Sequence, residues 1–163
     1  MGELPWLDYS GQSVDELLAL EGKYRIDSLV IAFEEAIQRK EARDGSEVLA
    51  LEEQTILAIE ALEREVNNGG YHQFFVNSME YAPIIIDSLR RIGCPKVAAI
   101  TKDAIDALRL SEVSTEEIEK VIYDDDSLFE RLGACDSKFF EYPESIQDQL
   151  FSYIKRNKTN IGF

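Results

Sequence analysis

Apolar residues recur every three to four positions along almost the whole chain, the spacing that lines one face of an α-helix. From Ser46 to Asn68 they fall at Val48, Leu51, Ile59, Leu62 and Val66, with Leu49 and Ile56 beside them. Glu52, Glu53, Glu60, Glu63 and Arg64 take the opposite side, which predicts one long amphipathic helix. Ile26, Leu29, Val30, Phe33 and Ile37 mark an earlier helix that runs out in the polar stretch around Gly45. Before it, a short helix from Val14 to Leu20 carries capping-box spacing at Ser13 and Glu16.

Beyond the long helix, Gly69 and Gly70 lead into a short aromatic segment, Tyr71 to Asn77. A helix through Ile84, Ile85, Ile86, Leu89 and Ile92 follows, stopping at Gly93 with Pro95 behind it. The triple Ile suits a strand, but no second run of β type exists to pair with it. The next helix is expected from about Lys96 to Leu110, with Val97, Ile100, Ala104 and Leu108 inward. Ser114 with Glu117, and Ser127 with Glu130, have capping-box spacing and start two more. Pro143 suits the first turn of a last helix through Ile146, Leu150, Tyr153 and Ile154. The expected fold is all-α, about seven or eight helices in one compact domain over residues 1–163, with no internal repeat and short polar connections.

Composition agrees with a packed domain: 45% hydrophobic residues, 10% aromatic, and only 4 Pro and 9 Gly in 163 residues. Charge changes the picture. Against 17 Lys and Arg stand 32 Asp and Glu, a net charge of −15. Nucleic-acid binding draws on cations that displace counterions from phosphate, so this balance argues against a direct DNA or RNA ligand and against an anionic membrane. It leaves a basic protein as the fitting partner. The N-terminus has no basic region followed by an apolar run, no window is long and apolar enough for a membrane helix, and Gly2 lacks the later Ser or Thr of a myristoylation signal. A cytoplasmic protein is expected, with Cys94 and Cys135 as free buried thiols.

The most distinctive stretch reads EVNNGGYHQFFVNS, from Glu65 to Ser78. Asn67, Asn68, Gly69 and Gly70 end the long helix, because Asn and Gly accept backbone conformations that other residues avoid. Tyr71, Phe74 and Phe75 fold back on the core, next to a dense polar set of Glu65, Asn67, Asn68, His72, Gln73 and Asn77. Such a set is either a hydrogen-bond network that fixes the corner or the floor of a small site.

In this string the chain resembles a bacterial family of formally unknown function that includes an acidic DNA-mimic protein. The family's hallmark is E-x-x-N-G-G-[FY]-x-Q-[FY]-[FY]-x-N-S. The later CDSKFFEYPESIQDQLFSYIKRN, from Cys135 to Asn157, is similar to the family's Asp followed by aromatic residues and a final amphipathic helix. The resemblance implies an all-helical fold, a homodimer, and carboxylates presented where a duplex presents phosphates. A helix-turn-helix regulator would then be held off its operator.

Mimicry needs rows of carboxylates, and acids three or four apart on a helix lie about 5–6 Å apart at Cβ. The richest window, Asp103 to Asp148, holds 14 acids against 4 bases. Asp103, Asp106, Glu112, Glu116, Glu117, Glu119, Asp124, Asp125, Asp126 and Glu130 are the candidate partner-binding surface. Glu34, Glu35, Glu41, Glu52, Glu53, Glu60 and Glu63 offer a second acidic surface, and Lys155, Arg156 and Lys158 stand apart from both, placed to meet acids across a dimer contact.

Enzymatic readings find less support. His72 is the sole histidine, so no multi-histidine metal site exists within one chain. Phosphate-loop, dinucleotide and nucleophile-elbow strings are absent, and Asp124–Asp126 lack the spacing of a calcium loop. No enzyme, no cofactor and no metal are expected. The alternatives are a small-ligand or enzymatic module at the Asn-Asn-Gly-Gly corner, and an immunity-type interaction protein with acidic surface but no duplex geometry.

Overall fold

A computed structural model describes residues 2–123 and 127–163. The chain forms eight α-helices among the described residues, and no strand: α1 Val14–Leu18, α2 Ile26–Asp44, α3 Leu51–Asn77, α4 Ala82–Arg91, α5 Pro95–Ala107, α6 Thr115–Ile122, α7 Leu128–Phe139 and α8 Ile146–Arg156. Short 3-10 turns lie at Ser46–Val48, Met79–Tyr81 and Lys158–Asn160. The triple Ile is helical, with Ile85 buried and its two neighbours half-buried. Contacts divide the chain into two compact units, one reaching to Glu60 and taking in Ile146–Phe163, the other Ala61–Ser145.

In the first unit α2 packs against α1 and α8. Leu29, Val30, Phe33 and Ile37 of α2 and Leu150 and Ile154 of α8 are all fully buried, each side chain adding about 1.5–3 kcal/mol. The capping box of α1 forms as the spacing predicts: Ser13 Oγ accepts from the Glu16 N–H (3.2 Å) and the Glu16 carboxylate accepts from the Ser13 N–H (3.1 Å). The extended N-terminal segment is tied to α2, through Leu7 N–H to Ser28 Oγ (3.1 Å) and Arg25 N–H to the Pro5 carbonyl (3.0 Å).

The long helix departs from its expected form in two ways. It begins at Leu51, with Ser46–Val48 as a 3-10 turn, and Val48 and Leu51 are 46% and 52% exposed. Nor is it amphipathic in the expected sense. Every residue from Thr55 to Glu63 is buried, two and a half turns that leave no solvent face, and Glu53 and Glu60 are buried with them.

In the second unit α5 packs against α4 and α7. Tyr71, Phe74, Phe75, Ile85, Leu89 and Ile118 are fully buried there. Helix α4 stops as expected, with Gly93 at φ 89°, and on α5 Val97, Ala104 and Leu108 are buried but Ile100 only half so. Ser114 caps α6 by accepting from the Glu117 N–H (3.2 Å), whereas the Glu117 carboxylate turns to Lys120 (3.0 Å), so the box closes on one side. Ser127 makes no cap: it is already helical (φ −73°, ψ −14°), and its hydroxyl accepts from Arg131 (2.6 Å). Pro143 lies before α8 and outside its first turn.

Candidate functional site: a closed corner and an acidic surface

At the hallmark the backbone leaves the helical region at Gly69 (φ −157°, ψ 20°) and Gly70 (φ 75°, ψ −178°), then resumes as a helical segment to Asn77. The Gly70 conformation is essentially closed to residues with a Cβ. Space is closed too, since a Cβ there would sit 2.5 Å from Asp136 Oδ2. Asp136, on α7, accepts the Tyr71 N–H through Oδ1 at 2.8 Å, capping the resumed helix from a distance of 65 residues in sequence. Burial, the largest influence, pushes its carboxyl above the ordinary carboxylate range, against the Tyr71 hydrogen bond and the nearby His72.

The polar side chains of the corner bind one another. Glu65 Oε2 accepts from Gln73 Nε2 (2.7 Å) and Asn77 Nδ2 (3.0 Å). Asn67 Nδ2 donates to Glu63 (2.7 Å), and its carbonyl oxygen accepts from Tyr142 Oη (2.5 Å). His72 Nε2 lies 3.2 Å from the carbonyl of Ile122, the last residue of α6, and its ring stacks on Phe129 with centroids 4.2 Å apart. Tyr71 Oη and Thr101 Oγ1 are 2.8 Å apart in the core. Of the two alternatives for this string, the geometry is that of a network fixing a corner, with Asn67, Asn68, Gly69 and Asn77 at its exposed rim. Asp136 and Tyr142, which hold the corner from α7 and just beyond it, carry no local signal of that role. The CDSKFFEYP pattern is the sole pointer to them.

Neither thiol is suited to nucleophilic work. Cys94 and Cys135 are free and buried, and burial pushes Cys94 up to about 12, with Cys135 raised by the same cause.

The first acidic surface lies on the second unit. Asp103, Asp106, Glu112, Glu116, Glu119 and Glu130 are exposed and Glu117 is half-buried. Asp124, Asp125 and Asp126 lie outside the described residues. Asp106 pairs with Lys102 (2.8 Å) and Glu117 with Lys120 (3.0 Å), and the Lys120 hydrogen bond holds the Glu117 carboxyl below its ordinary range. Asp103, Glu112, Glu116, Glu119 and Glu130 make no ion pair with a described residue.

The second acidic surface does not exist as expected. Glu34, Glu53, Glu60 and Glu63 are buried, at 5%, 0%, 3% and 8% exposure, and Glu35, Glu41 and Glu52 are half-buried. These acids serve the interior because polar groups are there to receive them. Glu53 takes Lys40 Nζ (2.8 and 3.0 Å), the Ala50 N–H (2.7 Å) and the Gly162 N–H (3.1 Å), and Glu60 takes Gln147 Nε2 (3.0 Å). The basic tail also finds acids within its own chain: Lys155 pairs with Glu21 (2.9 Å) and Lys158 with Asp15 (3.2 Å).

Among the described residues no group of three or more His, Cys, Asp or Glu side chains is placed to hold a metal, and no helix is long and apolar enough to cross a membrane. No curated protein and no solved structure matches the chain. The sequence model described as DMP19-like protein matches residues 47–157, which take in the whole hallmark, the corner and the exposed carboxylates of α5 to α7. With the Glu65–Ser78 string and its Asp136 partner inside a match covering more than half of its length, the chain belongs to the DMP19-like protein family.

Proposed function

We propose that the protein is an acidic, non-enzymatic DNA mimic. It binds a basic DNA-binding protein, a helix-turn-helix transcription regulator, and competes with that regulator's DNA. In this reading it acts in the cytoplasm as a homodimer, and the regulator meets Asp103, Glu112, Glu116, Glu119 and Glu130. The observation that carries the proposal is the contrast between acids. Those of the other candidate surface are buried or half-buried, whereas these five are exposed and unmatched by a cation among the described residues. Glu116 with Glu119 is an i,i+3 pair on α6, about 5–6 Å apart at Cβ, a spacing that suits a partner surface built to receive successive phosphates. Family membership supports the same reading, and the closed corner supplies rigidity rather than chemistry.

The test is capture of the partner at low salt followed by competition with duplex DNA. Exposed charges are screened over about 8–10 Å at physiological ionic strength, so the complex should weaken steeply as salt rises. Duplex DNA should displace the protein from the regulator. A partner that keeps its full affinity when its DNA-binding face is blocked overturns the mimicry and leaves an interaction protein of immunity type.

A further inference from the structure

Two phenylalanines of α7 are left in solvent on one face. One side of the Phe129 ring stacks on His72, with centroids 4.2 Å and planes 24° apart, yet the residue is 62% exposed, so the opposite side of the ring is open. The ring is held in place before anything meets it, which lowers the ordering cost of a contact there. Phe140, 45% exposed, follows eleven residues later at the helical C-cap (φ −71°, ψ −9°), three turns on and on the same face.

Gly133 lies between them, one turn after Phe129. It is helical, its φ is not positive, and a Cβ there would meet no described atom within 4 Å. Glycine inside a helix is destabilising relative to alanine, and nothing within the chain calls for it at this position. What it offers is bare backbone that an outside surface can approach. Phe129, Gly133 and Phe140 are separated by four and then seven residues, the seam spacing along which one helix lies on another.

Charge selects the occupant. Glu130 and Glu141 are exposed beside the stripe and make no ion pair with a described residue. The cations of α7 are directed elsewhere. Arg131 donates to the Ala107 carbonyl (3.0 Å) and to Ser127 Oγ (2.6 Å), and Lys138, nine residues after Phe129, stands half a turn round the helix from it. A second copy of the chain would bring the same acids to the contact, so the stripe fits a basic helix instead.

We propose that the stripe of Phe129, Gly133 and Phe140 docks an amphipathic helix of the basic partner, with that helix's backbone over Gly133 and one of its arginines stacked on the open side of Phe129 and donating to Glu130. The proposal rests on the reading of α5 to α7 as the basic partner's docking face, and adds to its carboxylates an apolar seam that imitation of phosphates does not require. Arginine fits better than lysine, because a planar guanidinium stacks on an aromatic ring while pairing with a carboxylate.

The probe is a synthetic peptide of about 18 residues, long enough to hold a helix, with arginine and leucine along one face. It is titrated into the full chain and followed by fluorescence anisotropy and backbone amide shifts. Saturable binding with shifts on α7 is expected. A scrambled peptide of the same composition and charge should bind at least about tenfold more weakly, and a lysine-for-arginine peptide about threefold or more. Gly133→Gln adds a neutral side chain where there is room, so it should leave the thermal midpoint unchanged or higher while weakening the peptide about tenfold. Phe129→Ala should remove the preference for arginine over lysine, a readout that a purely structural role of the ring would not move. The proposal is overturned if the scrambled peptide binds equally, if Gly133→Gln keeps the parent affinity, if Phe129→Ala keeps the arginine preference, or if the shifts are confined to α5 and α6. Mimicry fails by a different result, a regulator that duplex DNA does not displace, so either reading can fall alone.

Discussion

Gly70 has no latitude, because two independent constraints meet on it. Its φ of 75° with ψ of −178° is open essentially to glycine alone, and the space where a Cβ would stand is taken by the Asp136 carboxylate. Gly70→Ala should therefore cost about 2–4 kcal/mol, about 1–3 for the backbone and the rest for displacing Asp136 from the Tyr71 N–H. The urea midpoint should fall with an unchanged slope. Asp136 itself contributes a pH signature. Burial raises its folded carboxyl above the unfolded value of 3.8, so in the interval above that value the folded state holds its proton more firmly. Stability from this group then declines as pH rises through the interval and is level on either side. Asp136→Asn keeps the carbonyl that accepts the Tyr71 N–H and removes the ionisation. Relative to the parent, this variant should gain stability as pH rises from 3 into the neutral range. A parent–variant difference that is flat with pH, by urea unfolding, contradicts this account.

At the scale of elements, Glu53 shows why part of the fold was readable in the sequence and part was not. Most helices follow from apolar spacing and from caps written in neighbouring residues: Ser13 with Glu16, Ser114 before α6, Gly93 after α4. The start of α3 does not, because Ala50 stands where a capping side chain is usual and the cap is half a box, the Glu53 carboxylate reaching back to the Ala50 N–H. The wrongly assigned Glu face has the same origin. Periodicity places a carboxylate opposite an apolar stripe, but Lys40 and Gly162, which lie 13 and 109 residues away from Glu53, decide that it is buried. The corner was legible as a string, its closure by Asp136 and Tyr142 was not, for the same reason of distance in sequence. Glu53 therefore ties α2, the first turn of α3 and the last residues together through one carboxylate. Glu53→Ala leaves Lys40 without its buried partner and should cost about 3 kcal/mol. Glu53→Gln, which still accepts from a backbone N–H, should cost less. Unfolding curves for the two variants check the order, and equal losses would assign the whole effect to the charge, with nothing left for packing or the Ala50 N–H.

For the whole molecule, the net charge of −15 overstates what a partner can meet at any one place. Glu34, Glu53, Glu60 and Glu63 are interior groups, and Glu21, Asp15, Asp106 and Glu117 sit beside lysines. What remains concentrated is the set on α5 to α7, and there placement can be separated from amount. The variant D103N/E116Q/E119Q/E130Q removes four exposed charges that have no ion-pair partner among the described residues. A matched variant, E3Q/D8N/E16Q/E47Q, removes four exposed acids of the first unit. Long-range attraction depends on total charge and should slow association with a basic regulator in both. Docking depends on where the carboxylates stand, so only the first should also shorten the lifetime of the complex. At about 50 mM salt, the first is expected to reduce association by about tenfold or more and to flatten its dependence on salt. The matched variant should change association modestly and leave dissociation as it was. Stopped-flow association and dissociation rates for the two variants decide the matter: if both act alike, the carboxylates are merely numerous, and the α5 to α7 surface is not the docking face.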